Sequence, residues 1–395
     1  MIQTHSFDIA VVGGGMVGMA TALGLAEAGY QVAVIERAEP QPVSGDPRLR
    51  VSAINRASQR WLESLGVWAR LDPARLSPYD AMAVWDKDSI GKIGFDADSL
   101  QEPDLGHIVE NDALAYALWQ QSLGQERIRR FIGTPERWAQ GEREAWLTLD
   151  SGDMITARLL LAADGANSWL RQQAQIPLTF RDYGHHALVA TIECQQPHQR
   201  IARQVFLPDG PLALLPLADP HRCSIVWSQA PDQAAERAQM APDAFGQALT
   251  VASDARLGAL SLVSERAMFP LTMRYAQDFV RPRLALLGDA AHTIHPLAGQ
   301  GVNLGLGDGL KLVETLSAVR GSDWDIGDER LLQRYGRARK AAAQEMLAAM
   351  EGLRWLFAGS HPLKKGLRDL GLNLVDRAGP VKNQLLKKAL GLDAR

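Results

Sequence analysis

Apolar and polar positions change period several times along the chain, and each change marks an element. Phe7 to Val12 reads as a short strand, residues 13–18 as a glycine turn, and Met16 to Ala28, rich in Ala and Leu and stopped by Gly29, as a helix. Gln31 to Ile35 is a second apolar strand ending at Glu36, so the chain opens as β-α-β. A polar, Pro-rich loop over 39–47 precedes a helix from Asn55 to Leu65. Met82 to Trp85 and Lys92 to Phe95 read as strands, and Asp112 to Leu123 as a helix. Trp146 to Leu149 and Ile155 to Ala162 flank Ser151-Gly152-Asp153, a hairpin signal. Between Leu178 and Pro270 short apolar runs recur at Ala187–Ile192, Arg203–Phe206, Leu212–Leu217 and Ser224–Ser228, which predicts a mainly antiparallel sheet. Leu284 to Leu287 returns to the pattern of a buried parallel strand, and 301–319 and 328–350 read as helices.

Two junctions of strand and glycine carry the chemistry. Gly13-x-Gly15-x-x-Gly18 follows a strand and opens a helix, the context a dinucleotide loop needs. The first glycine allows the turn, the second lets backbone approach a pyrophosphate, and the third lets helix and strand pack closely. The helix amino end then offers free N–H groups to the phosphates. Glu36 lies 18 residues beyond Gly18, where a carboxylate accepts hydrogen bonds from ribose hydroxyls and repels a 2′-phosphate. The loop alone does not choose between FAD and NAD. The second junction is the run GDAAHTIHPLAGQGVN over 288–303. Asp289 at a strand end can bind a ribityl hydroxyl. Gly299 and Gly301 bracket a turn, and the N–H groups of Val302 and Asn303 open a helix that can face a flavin pyrimidine edge and stabilise negative charge there. Asp164-Gly165 ends a further strand, so three distant segments predict one FAD site.

Bulk properties agree with an enzyme of this size. At 395 residues, 46% hydrophobic and 22% charged, the chain affords a large core and two interleaved domains. A net charge of -3 argues against nucleic acid as a partner. Cys194 and Cys223 form no C-x-x-C pair, so neither a dithiol centre nor a cysteine metal site is expected. Neither a signal peptide nor a membrane span is visible, which predicts a cytoplasmic protein with at most peripheral contact at the inner membrane.

With these motifs, and with the stretches Arg50–Asn55, Val84–Ser89, Leu105–Asn111, Asp164–Arg171 and His185–Ile192, the chain resembles the group A flavoprotein aromatic hydroxylases. Within that superfamily, which includes 4-hydroxybenzoate hydroxylase, it is similar to the ubiquinone-biosynthesis hydroxylases, most of all the bacterial 2-polyprenylphenol hydroxylases. Sister enzymes acting on later methoxylated and methylated quinols share the cofactor motifs. The resemblance implies an α/β fold. Its three-segment Rossmann-like FAD-binding domain (1–78, 104–177 and 271–357) is interleaved with a mainly antiparallel β-sheet substrate domain (79–103 and 178–270). A basic helical tail follows at 358–395.

The resemblance makes Gly13, Gly15, Gly18 and Glu36 the ADP-side ligands and places Arg50 near the pyrophosphate. It links Asp164 and Gly165 to both FAD and a reduced nicotinamide, and it gives the flavin end to Asp289, Gly299, Gly301, Val302 and Asn303. It implies hydroxylation of a polyprenylated phenol by O2 through a flavin hydroperoxide. No second glycine-rich βαβ unit is evident, so a reduced nicotinamide or another electron donor visits transiently. His292 and His295 are the candidate proton carriers, the nearest histidines to the flavin by motif. Phe206, Leu212, Leu214, Leu215 and Trp227 are candidates for the floor of an apolar channel, against their reading as ordinary sheet core. The basic tail reads either as a solvated helix or as a docking face for an anionic membrane or an enzyme complex of the pathway, and a homo-oligomer stays open. The rival functions are a flavin-dependent prenyl-chain reductase and a non-enzymatic prenyl-binding protein.

Overall fold

Parallel strands β1 (Thr4–Val12) and β2 (Val32–Glu36) flank helix α1 (Met16–Glu27), as the first glycine pattern predicts. The computed structural model describes residues 3–88, 90–293, 301–357 and 379–392. After β2 come β3 (Val51–Asn55), α2 (Arg56–Ser64), β4 (Ser77–Tyr79), β5 (Ala81–Asp86), β6 (Lys92–Asp96), β7 (Gly106–Glu110) and α3 (Asn111–Ser122). β8 (Ile128–Ile132), β9 (Pro135–Gln140), β10 (Ala145–Leu149) and β11 (Met154–Ala162) lead into the short α4 (Trp169–Gln173). The middle of the chain holds β12 (Leu178–Cys194), β13 (Ile201–Leu207), β14 (Gly210–Pro216), β15 (Arg222–Gln229), α5 (Pro231–Gln239), α6 (Pro242–Ala252) and β16 (Leu260–Leu262). Then follow β17 (Ala267–Ala276), β18 (Val280–Arg281), β19 (Leu284–Leu286), β20 (His292–Thr293), α7 (Gly301–Ser317), α8 (Glu329–Phe357) and α9 (Gly379–Ala389).

One sheet runs β18-β19-β11-β1-β2-β8, with β10 and β9 added beyond β11. Its parallel strands are buried on both faces, which is why they read as continuous apolar runs. Their register sets Val12 beside both Ile35 and Ala162, and Ala162 beside Leu286. The carboxyl ends of four strands are therefore level, and the glycine loop, Glu36, Asp164 and Asp289 all follow directly from that edge. Open α/β sheets bind ligands at this edge. Helix α7 crosses α1 at close range. A Cβ on Gly305 would stand 2.7 Å from a Val17 methyl, and one on Gly309 2.3 Å from the Thr21 hydroxyl oxygen. The glycine spacing of α7 thus answers to packing, and it brings the amino end of α7 to the same edge.

The second sheet runs β20-β17-β12-β15-β14-β13-β5-β6, with β16 beside β12. Strict alternation divides its side chains. Leu188, Ala190, Ile192, Ile225, Trp227, Leu212 and Leu214 pack with Phe245 and Leu249 of α6. Ala187, Thr191, Ser224 and Val226 occupy the intervening positions and so point the other way. Leu215 and Ala202, also on that other face, pack with Ala53 and Ile108 of the small β3-β7-β4 sheet. This face is turned toward the small β3-β7-β4 sheet.

The structure corrects the expected channel floor. Leu212, Leu214 and Trp227 are at most 1% exposed and belong to the core under α6; only Leu215 and, by alternation, Phe206 fall on the opposite face. The error follows from missing α5 and α6, which cover one face of a region read as sheet alone. The missed signal was a proline at the first helical position followed by an acid, Pro231-Asp232 and Pro242-Asp243. In the described part of the tail, Leu386 and Leu390 of the α9 segment are buried against the Leu105 and Tyr79 cluster, while Lys387 and Lys388 are exposed. No helix among the described residues is long and apolar enough to cross a membrane.

Candidate active site

The glycine loop is built as its spacing requires. Gly13 has φ +103°, and a Cβ on Gly18 would lie 1.9 Å from the Gly13 carbonyl oxygen. Gly15, by contrast, faces open space. The Glu36 carboxylate accepts from the Gly14 N–H at 2.6 Å and from the Arg37 N–H at 2.8 Å, which fixes it beside the loop.

Asp164 accepts from the Leu170 N–H in the first turn of α4 at 3.2 Å, while its other carboxylate oxygen is buried without a partner. Gly165 follows with φ +82°. Two arginines knit this loop to its neighbours. Arg171, 2% exposed, donates to the Ala290 carbonyl at 2.9 Å and the Ala166 carbonyl at 3.0 Å. Arg274 donates to the same Ala166 carbonyl at 3.0 Å and to the Asn167 side chain at 2.6 Å. Arg171 closes the Asp164–Arg171 stretch and Arg274 lies in none of the sequence motifs, and only the tertiary fold shows what either arginine bonds.

Asp289 is exposed to solvent. Desolvation by the protein beside it raises its pKa, opposed by the nearby His292, Arg50 and Arg274. Arg50 is exposed just before β3, and its guanidinium lies 5.7 Å from the centroid of the Phe269 ring on β17, so it spans from the small sheet to the second large sheet.

Gly301 begins α7 with nothing within 4 Å of where a Cβ would stand, and Val302 packs on the main core. The Asn303 side chain accepts from the Asn55 N–H at 3.0 Å and donates to the Ala53 carbonyl at 2.7 Å. It therefore anchors the first turn of α7 to β3. His295 and Gly299 lie outside the described residues. His292 is 2% exposed and its Nε2 stands 2.6 Å from Asp308, a buried ion-pair geometry in place of the open position a proton carrier needs.

FAD fits this floor on three observations: the empty approach at Gly15, the partnerless buried Asp164 oxygen, and the desolvated Asp289 beside a helix amino end. The glycine loop and Glu36 would hold the ADP half, and Asp289 with the α7 amino end the flavin half. On the face of the second sheet opposite α6, Thr191 and Ser224 sit directly opposite each other on β12 and β15, are 3% and 1% exposed, and have hydroxyls without a hydrogen-bond partner.

Comparison with known proteins agrees with this geometry. The FAD binding domain family matches residues 6–350. The Escherichia coli (strain K12) 3-demethoxyubiquinol 3-hydroxylase is 40% identical over 98% of both chains. The human mitochondrial ubiquinone biosynthesis monooxygenase COQ6 is 34% identical, covering 96% of this chain and 92% of its own. The fold is that of p-nitrophenol 4-monooxygenase PnpA from Pseudomonas putida DLL-E4, with a TM-score of 0.79 at 19% identity over 98% of this chain and 99% of that one. The match along nearly the whole chain, and an FAD floor assembled from its three separate segments, place this protein among the FAD-dependent ubiquinone-biosynthesis hydroxylases.

Proposed function

We propose that this hydroxylase acts on a 2-polyprenylphenol, inserting one oxygen atom of O2 into the ring while the other leaves as water at the expense of two electrons from a reduced nicotinamide or another donor. What carries the reading is the location of the residues behind the resemblance. Arg50–Asn55, Val84–Asp88, Leu105–Asn111 and His185–Ile192 fall on or beside β3, β5, β7 and β12. Apart from Arg50, assigned to the cofactor, and the β12 side chains under α6, these positions support a reading as substrate contacts. FAD supplies the activation of O2. The chain's own residues exclude water and orient the ring, with the Thr191 and Ser224 hydroxyls receiving ring oxygens and the apolar positions around Val226 and Leu215 receiving the first prenyl units. His295, next to Pro296 in the flavin run, carries the phenol proton; a His295→Ala variant with normal FAD content and undiminished hydroxylation would remove that role. Peripheral contact with an anionic membrane or with partner enzymes through exposed Lys387 belongs to the same proposal.

A second reading has an observation behind it: the 40% identical E. coli relative is a 3-demethoxyubiquinol 3-hydroxylase, which points to a later quinol. Removing the gene under aeration and identifying the accumulated prenylated aromatic by mass spectrometry separates the two. A 2-polyprenylphenol-level species supports the first reading, and a methoxylated, methylated quinol supports the second.

A further inference from the structure

One carboxylate ties together the elements at the flavin end. Asp308, in the third turn of α7, is 0% exposed. One of its oxygens accepts from the Gly288 N–H at 3.0 Å and from His292 Nε2 at 2.6 Å, and the other accepts from Arg339 Nε of α8 at 2.6 Å. Arg339 also donates to the Leu304 carbonyl in the first turn of α7 at 3.0 Å. A single side chain thereby holds the turn that carries Asp289, the strand after it, the helix whose amino end faces the flavin, and the helix behind.

The chemistry of the hub leaves little choice of residue. All three groups around the side chain are donors, and only a carboxylate of this size accepts on both atoms without donating. Because Asp308 only accepts, His292 must carry a proton on Nε2, which fixes the ring's orientation. Burial on its own would raise the carboxyl's pKa, but His292 and Arg339 outweigh it and hold it below the ordinary value, so the group stays ionised. A fully buried carboxylate is kept only where paired donors surround it, and removing one partner of such a cluster is costly.

We propose that Asp308 is a positioning residue for the flavin. It sets the separation between Asp289 and the N–H groups at the amino end of α7, with His292 and Arg339 as the arms that hold it. In this assignment His292 acts through Asp308 and transfers no proton.

The test compares Asp308→Asn with Asp325→Asn. Asp325 also bonds an arginine, Arg283, but at the amino end of β19, the edge of the sheet away from the cofactor. Both purified proteins are stripped of FAD, melted, and titrated with FAD by flavin fluorescence; the visible spectrum of each reloaded protein is recorded. The expected result is that Asp308→Asn raises the FAD dissociation constant about tenfold or more and alters the shape of the flavin band, as a small misplacement of a site does. Asp325→Asn lowers the melting temperature and leaves both unchanged. If Asp308→Asn does not fold, Arg339→Gln, which removes one arm and keeps the carboxylate, reads the same quantities. An Asp308→Asn or Arg339→Gln protein that loses stability but binds FAD within twofold of the parent, with the parent's spectrum, overturns the proposal.

Discussion

Gly15 and Gly18 divide the work of the nucleotide loop between them, and alanine at each position measures one share. A Cβ at Gly18 would meet the Gly13 carbonyl oxygen at 1.9 Å where real contacts stay above 3.0 Å, so the two must part by 3.0 − 1.9 = 1.1 Å. The obstacle is backbone, and Gly13 is itself held by its N–H to the Ile35 carbonyl at 2.9 Å, so it cannot give way cheaply. Overpacking of this kind costs about 1–3 kcal/mol. At on the order of 2 °C per kcal/mol for a chain this long, the cofactor-free Gly18→Ala protein melts several degrees lower.

At Gly15 the backbone is extended, with φ -67° and ψ -175°, and no atom lies within 4 Å of the added methyl. As a helix N-cap, alanine there costs the fold less than about 1 kcal/mol. The methyl instead fills the approach a pyrophosphate needs, and a penalty of about 2 kcal/mol on binding corresponds to roughly 30-fold in the FAD dissociation constant. The assay is a thermal melt of each cofactor-free variant together with an FAD titration. A Gly15→Ala protein that binds FAD as the parent does, or that loses as much stability as Gly18→Ala, refutes the division.

Three further outcomes follow from the same floor. Asp289 is exposed at the flavin end, where solvent screens its charge. Asp289→Asn therefore leaves the cofactor-free melting temperature nearly unchanged and weakens FAD binding; FAD binding equal to the parent's contradicts this. Asn303→Ala strands the Asn55 N–H and the Ala53 carbonyl, which costs about 2 kcal/mol in urea unfolding and weakens FAD binding as α7 loses its anchor. Thr191→Val and Ser224→Ala each remove a partnerless buried hydroxyl, so each stabilises the protein by up to about 1 kcal/mol while raising KM for the aromatic substrate; unchanged KM removes these hydroxyls from the substrate contacts.

The parallel half of the fold was legible because its strands are buried on both faces and end in glycine or acid. Phe7–Val12, Ile155–Ala162 and Leu284–Leu287 could be read from local pattern alone, and the floor residues follow from those strand ends. The antiparallel half was legible as strands but not as faces. Alternation gives Leu214 one face and Leu215 the other, and nothing local says which of them a helix covers. The hub at Asp308 escaped for a similar reason. An aspartate inside a glycine-rich helix reads as surface until His292 and Arg339, 16 and 31 residues away, are folded onto it. Arg171 and Arg274 are the same case, since each takes its role from carbonyls of another segment.

The most direct test of the account supplies the purified, FAD-loaded protein with a reduced nicotinamide, a 2-polyprenylphenol and isotopically heavy O2, and reads the product by mass spectrometry. The account predicts a product bearing one heavy oxygen atom on the ring, formed only when FAD, donor and O2 are all present. A product with saturated prenyl double bonds formed without O2, or an unlabelled hydroxyl group, would contradict it.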